Sequence, residues 1–254
     1  MNSRHFGMGY GWIGMVLPFI LGMQAELVTA TDHTQDHSKA SGRPVEMQQT
    51  NVARLVYKPP KRGAPAARVG AATRGPGLTG TRLYVLTPDH TGLTTQAQPA
   101  LYWYVSKPAA ARFEFALVRD DTLETVVETT LSEVSEAGIQ KIALKDHAVT
   151  LQPDIAYQWL VALIGSEEQR SRDIVASGLV QRVASAPGSG SGIAASEQQA
   201  IVYAEQGIWY DALATLSELI ESRPADRQLR GMRAALLDQV GLQEVARFDR
   251  QAKP

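Results

Sequence analysis

From Arg82 onward the apolar residues of this 254-residue chain fall at every second position, and the pattern recurs seven times. The segments are 82–88 (RLYVLTP), 100–106 (ALYWYVS), 112–120 (RFEFALVRD), 124–132 (ETVVETTLS), 138–145 (GIQKIALK), 156–164 (AYQWLVALI) and 173–183 (DIVASGLVQRV). A period of two puts successive side chains on opposite faces of a strand, and β-branched and aromatic residues suit that surface. Turn signals such as Lys107-Pro108 and Asp120-Asp121 separate the segments. Seven such strands predict an antiparallel sandwich of immunoglobulin or fibronectin III type over residues 82–185.

One local pattern sharpens the expectation. Leu151-x-Pro153-x-x-x-Tyr157 enters the sixth strand and looks like a tyrosine corner, in which a phenol bonds upstream backbone. Trp103 and Trp159 read as core residues, because large aromatics dominate burial. Tyr102 and Tyr104 share the opposite face of the second strand, where sugar or peptide stacking is conceivable.

After the strands, residues 186–192 (APGSGSG) open a flexible linker that extends to 195. Ser196 with Gln199 offers a capping box. Ile208, Trp209, Ala212, Leu213, Leu216, Leu219 and Ile220 form a stripe at helical spacing, broken by Pro224. Leu229, Met232, Leu236, Leu237 and Val240 form a second, stopped by Gly241. Residues 196–252 are therefore expected to be a C-terminal α-helical hairpin. Gly207, Tyr210, Ala212, Leu216 and Pro224 resemble a tetratricopeptide repeat, though little more than one repeat is covered. The fold class expected is mainly β: a seven-stranded immunoglobulin/fibronectin III-like sandwich followed by this TPR-like hairpin. So short a helical unit must dock on the sandwich, pair with a second copy, or engage a partner's helices.

Ahead of the strands the chain is of a different kind. Residues 1–30 read as a secretory signal: Arg4, an apolar run over 12–23 and small residues at Val28 and Ala30. The run is too short to span a bilayer as a helix, so no membrane span is expected in the mature form. Residues 31–56 are polar and aperiodic, as in a mobile leader. A cut after Ala30 would expose Thr31-Asp32-His33, a pattern able to hold copper or nickel, with His37 nearby. Residues 57–81 form a Gly/Pro-rich arm. Between residues 47 and 88 there are seven cations and no acid, which leaves −7 for residues 89–254 of a chain whose net charge is −1. Arg62, Arg68 and Arg74 recur six residues apart, on one face of an extended chain. Guanidinium forks suit carboxylates and phosphates, so these three are candidate binding residues. The alternative is that the arm lies on the chain's own acidic body.

Composition narrows the function classes. Cysteine is absent, which excludes disulfides, thiolate metal sites and cysteine nucleophiles. The near-neutral net charge argues against a nucleic-acid binder. No Gly-x-Ser-x-Gly elbow or His-Glu-x-x-His helix occurs, and His90 and His147 sit in predicted turns without a partner set by spacing.

Three blocks point to a family. They are the run from Lys61 to Gly75, then Gly92-Leu-Thr-Thr with Pro99-Ala-Leu-Tyr-Trp-Tyr104, then Tyr203-Ala-Glu-Gln-Gly-Ile-Trp-Tyr-Asp-Ala212. In this order the chain resembles the bacterial family named domain of unknown function 928, over about residues 55–240. The resemblance implies export and a shared architecture, with no established reaction. Relatives tend to show Asp-Arg-Ser before the last strand, where this chain has Gln169-Arg170-Ser171. The departure puts an acidic role there in doubt. Arg170, in a loop expected at the same end of the sandwich as residues 107–111, is a fourth candidate binding residue. The function expected is that of an exported, non-enzymatic binding or adaptor protein of the periplasm or cell envelope. Its partner would be an envelope protein or an anionic envelope component, and neither a cofactor nor a metal centre is expected. A periplasmic enzyme of unrecognised class and an N-terminal copper or nickel binder are the alternatives.

Overall fold

Alternation places the core. The computed structural model describes residues 55–60, 71–72, 80–109, 111–134, 136–184 and 195–252. Among them, nine strands form two open sheets. β1 (Ala71–Ala72), β2 (Arg82–Val85), β4 (Ala100–Val105) and β7 (Gly138–Ala143) make an antiparallel sheet in the order β1-β2-β4-β7. The second sheet has the order β3-β9-β8-β5-β6, from β3 (Gly92–Thr94), β5 (Arg112–Arg119), β6 (Thr125–Leu131), β8 (Ala156–Ile164) and β9 (Ile174–Arg182). All its pairs are antiparallel except β3 with β9. Each of the seven expected strands is present, and β1 and β3 are additional.

The sheets meet through the residues that alternation assigns inward. Phe113, Phe115 and Leu117 of β5 are buried, as are Trp159 and Val161 of β8 and Leu101 and Trp103 of β4. The rings of Trp103 and Phe113 are 4.9 Å apart. Gly178 of β9 lies so near the other sheet that a Cβ there would stand 2.2 Å from Thr87 Cγ2. Both tryptophans are core residues, as expected. Tyr157 is buried, and its hydroxyl accepts from the Gln152 backbone N–H at 3.2 Å. Tyr157→Phe is expected to cost about 1 kcal/mol in urea unfolding, the usual loss for one hydrogen bond. An unchanged midpoint would show that the bond contributes nothing.

Helices hold nearly as many residues as strands, so the fold is a two-sheet body with a substantial helical part. The tail is not one hairpin. It has four helices: α1 (Glu197–Glu205), α2 (Trp209–Ser222), α3 (Arg227–Asp238) and α4 (Gln243–Gln251). Ser196 caps α1, accepting from the Gln199 N–H, and Asp226 caps α3. Gly207 separates α1 from α2 at φ +77°, in the left-handed region that favours glycine. A Cβ there would also lie 2.7 Å from the Lys58 carbonyl oxygen. The linker residues 186–194 lie outside the described residues.

Of the three fates open to the tail, docking on the sheets is the one observed. Buried side chains run without interruption from both sheets into α1, α2, α3 and α4. Trp209 Nε1 donates to the Leu86 carbonyl at 2.9 Å, and Trp159 Nε1 to the Tyr210 hydroxyl at 2.8 Å. Tyr210 in turn donates to Thr87 Oγ1 or the Leu179 carbonyl, each at 3.0 Å. The outward face of β4, where the sequence makes sugar or peptide stacking conceivable, is covered. Tyr102 and Tyr104 are buried, and Tyr104 meets the Phe248 ring of α4 edge-on at 5.2 Å. The first sheet is thus sandwiched between the second sheet and the helices.

Residues 55–60 strap the helices from outside. Tyr57 N–H donates to Gln239 Oε1, Gln239 Nε2 to the Leu55 carbonyl, and Lys58 N–H to the Ala204 carbonyl. The Tyr57 ring packs edge-on against Trp209 at 5.1 Å.

Candidate binding surface

The first three candidate residues, Arg62, Arg68 and Arg74, lie outside the described residues, as does the Thr31–His37 pattern. The described cations on either side of the arginines are engaged by the protein's own helices. Lys58 pairs with Glu205 of α1 at 3.6 Å and Arg82 with Glu244 of α4 at 2.5 Å.

Arg170 is described, in a short 3₁₀ turn (Glu167–Arg172) between β8 and β9. Its guanidinium reaches the two Glu114 oxygens at 3.2 and 2.7 Å and Asp173 at 2.8 Å. Arg112 adds a contact to Glu114 at 2.7 Å. The Arg170 hydrogen bond is the main reason the Glu114 carboxyl lies below its ordinary range; burial opposes it. Arg112 lies opposite Ile164 in the β5–β8 register, so residues 107–109, 111 and 165–172 lie at one end of the sheets, as expected. Arg170 is half exposed yet filled by its own carboxylates, so its role visible in the fold is to fix this corner.

Among the described residues, no element packs over the outward face of the second sheet. Cross-strand register lays down rows on it: Thr130, Glu114, Ala162 and Val175, then Glu128, Ala116, Leu160 and Ser177, then Val118, Gln158 and Leu179. A hollow of about 350 Å³ is floored by Ala116, Leu160 and Ala162, with Glu114, Arg170 and Asp173 on its rim. Alanine at 116 and 162 makes the depression, since neighbouring outward positions carry larger side chains. Val175 is 37% exposed and Val126 38%. An apolar floor with a charged rim is the usual make-up of a protein-contact patch. The signal for it in the sequence was small outward residues inside two strands, which alternation alone does not mark as functional.

Two further concavities contain titratable groups. A cleft of about 300 Å³ between the sheets and α1–α2 is lined by Gln96, Lys141, Lys145, Gln199, Tyr203 and Asp211. Asp211 is buried and accepts from Thr94 Oγ1 at 2.5 Å, from the Thr95 N–H at 3.0 Å and from the Thr95 hydroxyl. Burial raises its carboxyl above the ordinary range although these donors oppose the shift. The group anchors α2 to the strand that follows β2. The other hollow, about 320 Å³, holds His90, whose Nε2 is 2.9 Å from the Tyr57 hydroxyl and whose Nδ1 is 3.2 Å from Asp89. Burial pushes the Tyr57 phenol up. Here the imidazole secures the strap. Among the described residues, no three histidine, aspartate or glutamate side chains group so as to hold a metal ion. No helix in this set is long and apolar enough to cross a membrane.

Fold and surface together define a two-sheet protein backed by its own helices, with one sheet face open among the described residues. The chain belongs to the family described as Domain of Unknown Function (DUF928), whose family model matches residues 69–249. No curated protein matches it. Among solved structures it is similar to a multi-domain immunophilin from Arabidopsis thaliana at 6% identity and a TM-score of 0.16. That alignment covers 74% of this chain and 98% of the other, and at so low a score it carries no argument about fold.

Proposed function

We propose that the protein is an exported, non-enzymatic binding or adaptor protein of the bacterial periplasm or cell envelope. The observation that supports this most is the asymmetry of the two sheets. Helices α2 and α4 pack on the outer face of the first sheet, α2 also meeting β3 at the edge of the second, whereas among the described residues nothing covers the hollow floored by Ala116, Leu160 and Ala162. On this reading the strand order is that of an immunoglobulin/fibronectin III-like sandwich, in which an outward sheet face commonly serves as a contact surface. The pairs α1–α2 and α3–α4 are read as TPR-like units turned inward to brace it.

The test is affinity capture from the envelope with Ala116→Arg, which fills the hollow with a charge. Loss of captured partners with unchanged unfolding supports the reading. Unchanged capture contradicts it.

Export rests on the Arg4, 12–23 and Val28-x-Ala30 arrangement. Mass spectrometry of the mature protein is expected to find Thr31 at its terminus. A full-length cytoplasmic species would overturn export and the copper or nickel alternative together. Arg62, Arg68 and Arg74 are proposed as a second contact, for an anionic envelope component. Changing all three to glutamine should weaken capture and shift unfolding by no more than about 0.5 kcal/mol, as surface substitutions do. Early unfolding with unchanged capture would instead assign them to stability.

A further inference from the structure

Charge, free backbone and exposure coincide at the β5–β6 hairpin. β6 ends its sheet, and among the described residues no strand pairs with its outer edge. Its sequence, TVVETTL, is β-branched or apolar except for Glu128 and contains no proline. Thr125, Val126, Glu128 and Thr130 are all exposed. Such an edge offers N–H and C=O groups to another strand, and proteins usually blunt it with lysine, proline or a covering segment. Among the described residues the blunting here is limited to the single charge of Glu128 and a register slip near Val126, between the pairs Leu117↔Val127 and Val118↔Thr125. Residues 127–131 continue as regular strand beyond it.

The surroundings of the edge are acidic. Residues 120–136 hold Asp120, Asp121, Glu124, Glu128, Glu133 and Glu136, with no lysine or arginine. Arg119 neutralises Asp121 at 2.8 Å, and the other five carboxylates remain as local excess charge. At the hairpin tip Leu123 has φ 59° and is 77% exposed. Glycine or asparagine takes that backbone region more cheaply, so a wet leucine there is a strained residue placed where an apolar contact would use it.

We propose that the outer edge of β6 accepts an extended, lysine- or arginine-rich segment of a partner protein as an added antiparallel strand. The inference rests on the adaptor reading and names the partner's chemistry. Main-chain bonds would supply affinity, and cations opposite Glu128 and beside Glu124 would set register and specificity. The described end of the protein's own arm is distant. β1 borders β2, on the β9 side of the body, and β9 is three strand spacings, about 14 Å, from β6.

The experiment is a titration of the ¹⁵N-labelled mature protein with a synthetic peptide of alternating lysine and valine, and separately with its glutamate counterpart. Amide shifts should centre on residues 120–134, and the β6 amides should exchange more slowly. The glutamate peptide should not bind. Glu128→Lys, at an exposed position, should weaken lysine-peptide binding by about tenfold or more through like-charge contact. Shifts centred elsewhere, equal binding of both peptides, or an unaffected Glu128→Lys variant would each overturn the proposal. So would β6 amides already protected in a dimer before peptide is added, because a second copy would then fill the edge. If the peptide fails while Ala116→Arg still abolishes capture, the edge proposal falls alone. If the peptide binds at β6 and Ala116→Arg changes nothing, the fault lies with the assignment of the open face.

Discussion

Asp249→Ala is expected to lower folding stability by about 3–5 kcal/mol, read as a fall in the urea midpoint at unchanged slope. Asp249 is buried in α4 and receives Arg233 of α3 through two parallel bonds, each 2.8 Å. Arg233 also donates to Ser217 of α2 at 3.0 Å, so one guanidinium ties three helices together. Removing the carboxylate leaves a cation with almost no access to water, and that desolvation accounts for the expected size. The pair itself need not be stabilising. Replacing both residues with apolar side chains of similar volume should recover most of the loss. A single-variant loss below about 1 kcal/mol would mean that water reaches Arg233.

Asp211→Ala is the second large effect, at about 2–4 kcal/mol. It deprives two threonine hydroxyls and the Thr95 N–H of their acceptor where α2 meets the sheets. Relief of the buried charge offsets part of the cost. Asp211→Asn keeps an acceptor oxygen and should lose less. It also carries a pH signature. The folded-state pKa of Asp211 is raised, so its protonation favours the folded state, and that contribution fades as pH climbs from the ordinary carboxylate value through the raised one. Wild type should lose this increment of stability over that window, and Asp211→Asn should not. Parallel pH profiles for the two proteins would contradict the assignment.

The strands were legible because period-two alternation and burial coincide residue by residue. In β5, Phe113, Phe115 and Leu117 are the buried positions and also the apolar ones. Helix α4 was not legible, because its sequence QEVARFDRQ is mostly polar. It buries Asp249 alongside Val245 and Ala246, and a charged residue gives no sign in sequence that it has a buried partner sixteen positions earlier. Asp211 misleads in the same way, since an aspartate at the start of a helix ordinarily faces water. Residues 55–60 lie across the boundary drawn at 56 between leader and arm, where local polarity hides two buried anchors, Leu55 and Tyr57. Tyr102 and Tyr104 looked like an open platform only because tertiary cover from α2 and α4 has no local signal. Of the candidate site, Arg170 was found as a residue, but its commitment to Glu114 and Asp173 required the fold.

On the proposed function, partners meet the open face of the second sheet and not the helical back. A photo-crosslinking side chain at Leu160, on the floor of the hollow, compared with one at Glu221 on α2, tests it in cells. A cross-linked partner is expected from position 160 and none from 221. Cross-links from 221 alone would contradict it.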